Sequence, residues 1–152
     1  MIEVHRTYDL VAVRELMRHP RIYSNSVDDG CPPPEKLVLS GDSRFIYLLV
    51  RNNQEVLGFF ILVPYNLVCY GFHASFLPSA WGPPAFTAGL MFLSWVWLNT
   101  PAWRLTAEIP AFNSLALRYA RRLGLTRYGV NPHSFLKGGK LYDQVLMGAS
   151  RR

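Results

Sequence analysis

The stretch RFIYLLVRNNQEVLGFFILVP, Arg44–Pro64, constrains the fold most. Two runs rich in β-branched and aromatic residues flank a polar turn at Asn52–Gln54, which is the pattern of an antiparallel hairpin. A third such run, LVCYGFHASFLP, follows at once. Three strands in succession predict a meander, and a meander must bury at least one face against other elements. Helical spacing supplies those elements. In YDLVAVRELMRHP, Leu10, Val13 and Leu16/Met17 share a face, and Pro20 marks its end. Residues 20–43 lack a period, and SVDDGCPPPEKL reads as a loop. After the Pro/Gly-rich turn SAWGPP, the apolar run Ala85–Leu98 is too short to span a bilayer and reads as a buried helix.

The remaining segments complete an alternation. IEVHRT is a short first strand and WRLTAEIP a later one. NSLALRYARRLGL is one short helix: Asn113 caps its start and Gly124 suits the left-handed residue at its end. Its core face is expected to hold Phe112, Leu115, Ala116, Tyr119 and Leu123. SFLKGG and KLYDQVLMG form a final strand pair around a Gly-Gly turn. A meander followed by a strand–helix–strand crossover implies an α/β (α+β) fold: a mixed, mainly antiparallel sheet flanked by helices on both faces. The chain length of 152 residues suits a single domain over 1–152.

Composition excludes several classes. Half the residues are hydrophobic, which excludes a disordered chain. MIEVHRTYDL carries charges where a signal peptide needs an apolar run, so a cytoplasmic protein is expected. Cys31 and Cys69 match no metal or redox spacing and read as free thiols. His5, His19 and His133 are scattered, and no Ser/His/Asp or Cys/His spacing argues for hydrolysis. The net charge is +6, and from Asn113 onward eight basic residues face one acidic residue, Asp143. Such a third of the chain can attract phosphate, of a nucleotide cofactor or, less specifically, of nucleic acid.

Three stretches together resemble the GNAT superfamily of acyl-CoA N-acyltransferases. NSLALRYARRLGL is similar to the Asn-x-x-Ala helix that ends in Leu-Gly-Phe, matched here by Asn113, Ala116, Leu123, Gly124 and Leu125. HASFLPSAWG is similar to the strand end and turn that lead into the phosphate-cradling loop. SFLKGGKLYDQVLMG resembles the C-terminal hairpin of members related to the ribosomal-protein acetyltransferases, and the combination also resembles phage-encoded members. The likeness covers roughly Arg44 to Gly148.

The resemblance implies transfer of an acetyl group from acetyl-CoA to an amine by direct attack. It places the cosubstrate against Leu77, Trp81, Gly82, Ala85, Phe86 and Asn113. The cradle departs from the family pattern, because Pro83 and Pro84 fill a window where backbone N–H groups should hold the diphosphate. Amides of Gly82, Ala85 and Phe86 remain as candidate donors, with Arg118, Arg121 or Arg122 as compensating charge. The tyrosine that often serves as leaving-group acid would fall at Ala120. Tyr119 stands one position earlier, about 100° round the helix, and is read as either a buried core residue or that acid. His73 is the candidate base, or else a hydrogen-bonded structural histidine. Glu108, lone in an apolar strand, is read as paired with an arginine or as poised with a raised pKa, pairing being favoured. The acceptor is expected to enter beside His73 and Glu108. An enzyme of this kind needs an open pocket at Trp81–Phe86 and splayed strands beside it. The alternative is a catalytically inactive module of the same fold, a self-associating or assembly component such as part of a phage particle.

Overall fold

The hairpin forms where its pattern places it. In the computed structural model, which describes residues 1–152, β2 (Ile46–Asn52) and β3 (Glu55–Pro64) turn at Asn53 and Gln54, with Asn53 at φ 57°. Asn tolerates that left-handed conformation better than most residues. β1 (Ile2–Thr7) pairs with β2, and β4 (Cys69–Phe76) with β3. β5 (Arg104–Pro110), β6 (Thr126–Lys137) and β7 (Lys140–Ser150) complete a seven-stranded sheet in the order β1-β2-β3-β4-β5-β7-β6. Every pairing is antiparallel except β4 with β5.

Alternation along the strands builds two cores. Leu48, Val50, Phe60, Leu62 and Phe72 point to one face and meet α3 (Pro83–Asn99) and α4 (Ser114–Arg122). Phe92 of α3 stacks on Phe60 with ring centroids 4.1 Å apart and leans on Phe72. Tyr47, Leu49 and Phe59 point the other way and meet Val13 of α1 (Leu10–Arg18) and Ile22 of α2 (Pro20–Ser26). Helices therefore cover both faces, as the pattern predicts.

Four local readings need correction. Pro20 does end α1, but it also opens α2, because proline's missing N–H costs nothing in a first helical turn. The helix predicted over 85–98 begins two residues earlier, at Pro83, for the same reason. It is buried along one stripe only (Ala85, Ala88, Gly89, Phe92, Val96), and Leu90 and Leu98 face outward. The buried stripe of α4 runs through Leu117, Ala120 and Leu123, while Leu115 and Phe112 are exposed. β6 starts at Thr126, eight residues before the predicted strand, because exposed polar residues interleaved with Gly129 and Pro132 conceal an edge strand with bulges.

Candidate active site

The parallel β4–β5 ladder holds for three residue pairs only, Cys69–Arg104, Tyr70–Leu105 and Gly71–Thr106. Beyond it both strands continue, β4 to Phe76 and β5 to Pro110, without pairing to each other. The sheet is therefore split at its centre, and the β5-facing edge of β4 is open.

At the mouth of the split lies a cleft of about 360 Å³. Its walls are the end of β4 (Ala74, Ser75, Phe76), the start of α3 (Trp81, Gly82, Ala85), one side of α4 from Asn113 to Arg122, and α2 through Arg21, Asn25 and Ser26. Each wall has a local cause. Gly82 takes φ 94° and ψ −134°, a conformation open essentially to glycine, and this turns the chain into α3. The Trp81 indole donates to the Phe76 carbonyl at 3.2 Å and so ties β4 to the helix start. Asn113 caps α4 as its sequence predicts, its side-chain oxygen accepting from the Ala116 N–H at 3.1 Å. Its amide nitrogen is left without a partner in the protein.

The start of α3 offers fewer donors than expected. Pro83 and Pro84 occupy the first turn, and the Phe86 N–H donates to the Gly82 carbonyl at 3.1 Å. Phe86 is thus removed from the candidate donors, and the Gly82 and Ala85 N–H groups remain. Positive charge stands around them. Arg21, Arg118 and Arg122 line the cleft, with Arg21 stacked over Trp81 and Arg122 over Phe86. Arg121 does not line it. Nor does Leu77, whose side chain joins the α1/α2 core and whose N–H donates to Leu57.

Tyr119 lines the cleft, but its hydroxyl donates to the Ala85 carbonyl at 2.7 Å. Burial pushes its pKa well above the ordinary tyrosine value, which makes it a poorer acid. Gly89 permits this contact: a Cβ there would lie 2.5 Å from the Tyr119 hydroxyl.

His73 and Glu108 do not line this cleft; they stand on the two strands where these part. Each lies two residues past the last paired position of its strand, on the face shared by Gly71 and Thr106. His73 is exposed; desolvation by the atoms around it lowers its pKa, and the Glu108 charge opposes this. No arginine pairs with Glu108. The ion pairs of the protein are Arg18–Glu15 and Arg44–Asp42, and Glu108 is exposed, so the expected pairing does not form. Tyr65 joins the same face, its ring filling the space over Gly71, where a Cβ would meet its hydroxyl. Its pKa is raised by burial first and by Glu108 next.

Sequence reasoning brought Trp81, Gly82, Ala85 and Asn113 to one place. It missed Arg21, Asn25 and Ser26, which sit on a helix concealed by its leading proline. It also missed Tyr65, a loop residue that only the packing over Gly71 brings to the split.

A split mixed sheet of this order, with a helix starting at the split, matches the GNAT fold. Solved structures confirm that architecture. A chimera of the Vibrio cholerae spermidine N-acetyltransferase SpeG and hSSAT superposes with a TM-score of 0.81 at 15% identity, over 98% of this chain and 95% of that one. The Vibrio cholerae spermidine N-acetyltransferase in complex with CoA and spermine gives 0.78 at 17% identity, over 98% and 95%. A ribosomal-protein-alanine N-acetyltransferase from Brucella melitensis gives 0.72 at 15% identity, over 98% and 99%. No sequence-family profile matches the chain, and no curated sequence matches it. No helix is long and apolar enough to cross a membrane.

Proposed function

We propose that this chain is an N-acetyltransferase that uses acetyl-CoA and an amine acceptor. One observation carries the reading: the sheet opens past Gly71 and Thr106, with a basic cleft at the start of α3 on one side and His73 with Glu108 in the opening. An open pocket beside splayed strands supports this reading.

The residues divide the work as follows. The Gly82 and Ala85 N–H groups hold the diphosphate, and Arg118, Arg122 and Arg21 supply the charge that two lost amides do not. Leu115, Ala116 and Ala74 give the pantetheine arm an apolar wall, and the Asn113 amide donates along it. Phe86 acts through Arg122, whose guanidinium it supports, and Leu77 through the turn that it anchors. Acetyl-CoA supplies an acyl carbonyl activated as a thioester. His73, whose imidazole is neutral for the most part at pH 7 even at its ordinary value, takes the proton that the attacking amine loses. The nitrogen–carbon bond forms, the carbon–sulfur bond breaks, and the electron pair leaves with sulfur. Tyr119 holds α4 on α3 and is not required as the acid.

Glu108 draws the acceptor's ammonium toward the split. It is the single carboxylate on β4, β5 and β7 from Gln144 onward. This single carboxylate and the basic surface favour an acidic or neutral acceptor over a polycation. Of the eight basic residues after Asn113, Arg118 and Arg122 face the cleft, and Lys137 and Arg151 are engaged by backbone carbonyls, so the charge left for nucleic acid rests on Arg121, Arg127, Lys140 and Arg152.

Thermal unfolding with millimolar acetyl-CoA tests the reading. A ligand that binds only the folded state adds RT ln(1 + [L]/Kd), so the melting temperature rises. Thiol release with single amines then gives the acceptor. The assembly-module alternative draws on the two prolines and on the exposed apolar residues Leu67, Leu98 and Trp103. It predicts no thermal shift, no calorimetric signal with CoA, and stable self-association.

A further inference from the structure

α2 forms one wall of the cleft; His19 caps its start by accepting from the Arg21 N–H, but its C-terminal end has no cap of its own. It is seven residues long and buries one side chain, Ile22. It ends in extended backbone at Val27, with no basic residue in its last turn to meet its free carbonyls.

The hold comes from the far end of the chain. β6 bulges between Asn131 and Phe135, where His133 takes φ 51° and its N–H donates to the Asp143 carboxylate at 3.0 Å. Beyond that kink, the β6–β7 tip meets the end of α2. The Lys137 ammonium donates to the Ser24 and Val27 carbonyls, both at 2.6 Å. Gly138 and Gly139, at φ 59° and 75°, present successive N–H groups that donate to the two Asp29 carboxylate oxygens, both at 2.8 Å. The Asp29 N–H donates to the Leu136 carbonyl at 2.9 Å. Five hydrogen bonds thus join segments more than a hundred residues apart. None of Asp29, Lys137, Gly138 and Gly139 lines the cleft.

We infer that Asp29 and Lys137 are positioning residues, which set the cofactor wall by fixing the C-terminal end of α2 to the hairpin tip. Arg21, Asn25 and Ser26 then keep their places because the tip supplies the cap that α2 lacks. This rests on the acetyl-CoA reading for its kinetic consequence, but its structural consequence is measured without it.

The test compares Asp29→Ala, Asp29→Asn and Lys137→Met with wild type by amide hydrogen exchange and by initial rates against acetyl-CoA. In Asp29→Ala and Lys137→Met, α2 amides exchange faster while the β2–β3 amides keep their protection. The KM for acetyl-CoA rises roughly tenfold, the equivalent of one charge-assisted hydrogen bond, with kcat within about twofold. Asp29→Asn falls between, since its one carbonyl oxygen can still accept from one glycine. Wild-type exchange in α2, or a loss of kcat at constant KM, or a general loss of protection across the sheet, overturns the inference. If wild type itself neither binds CoA nor turns over, the acetyltransferase reading falls, and α2 exchange in Asp29→Ala alone still decides the role of the tip.

Discussion

The Tyr119 hydroxyl donates to the Ala85 carbonyl at 2.7 Å, across the contact between α4 and α3. This bond joins the two walls of the cleft, because Ala85 begins one and Tyr119 stands in the other. Burial raises the tyrosine's pKa, and its proton is already committed.

Tyr119→Phe is expected to keep the ring, which packs edge-on against Phe76, and to lose the bond. Stability falls by about 1 kcal/mol, a few degrees in melting temperature for a chain of this size. Turnover is largely kept. A fall in kcat of two orders of magnitude in a well-folded Tyr119→Phe protein would instead establish Tyr119 as the acid. Gly89→Ala tests the same contact from the other side. Its new methyl would meet the Tyr119 hydroxyl and Leu123, an overpacking cost of about 1–3 kcal/mol, of which helix propensity returns about 1. The two substitutions share one contact, so combined they should not add.

His73→Gln is expected to lower kcat/KM by about 10² or more, the usual worth of a positioned base. The wild-type rate should climb with pH and level off below 6.5, because the lowered pKa frees the base early. The same shift bears on stability. Below pH 6.5 the unfolded chain takes up a proton on this histidine more readily than the folded chain does, so stability is full above 6.5 and declines as pH falls toward the folded pKa. His73→Gln should lessen that decline in acid denaturation curves.

Pro84→Ala restores one N–H to the first turn of α3. Calorimetry should then show CoA binding about tenfold tighter, as one charge-assisted bond to phosphate allows. Arg122→Ala should act in the opposite direction and should also flatten the dependence of affinity on salt. An unchanged affinity in Pro84→Ala would place the diphosphate elsewhere.

Arg151 closes the other end of α3. Its guanidinium donates to the Trp97, Thr100 and Ala102 carbonyls and lies against the Trp97 and Trp103 rings. Arg151→Ala leaves those carbonyls without their charged donor and should cost about 2 kcal/mol in urea denaturation. CoA affinity should hold, because the cleft lies at the opposite end of the helix.

Much of the fold was legible because it depends on local pattern. The two β-branched and aromatic runs of Arg44–Pro64 around a polar turn identify both hairpin strands. Asn113 announces its cap through a side chain that reaches only three residues onward. Where local rules have two outcomes, the reading failed. Pro20 is as fit to begin a helix as to end one, so α2 and its three cleft residues were hidden. Leu115 has the spacing of a core residue, yet α4 turns Leu117 and Ala120 into the core and leaves Leu115 exposed. Glu108 seemed to call for an arginine, but the split leaves it open to solvent.

The sequence by itself determined most of the elements and their order, and the loss of two amides to Pro83 and Pro84 at the turn into α3, since each follows from the pattern of the side chains or the chemistry of proline. Only the tertiary structure decided that the sheet opens after Gly71, that α2 walls the cleft, and that Asp29 meets Gly138 and Gly139. Those relations join segments far apart in the chain, and the free energy that selects them comes from packing and hydrogen bonding between elements, which no local pattern encodes.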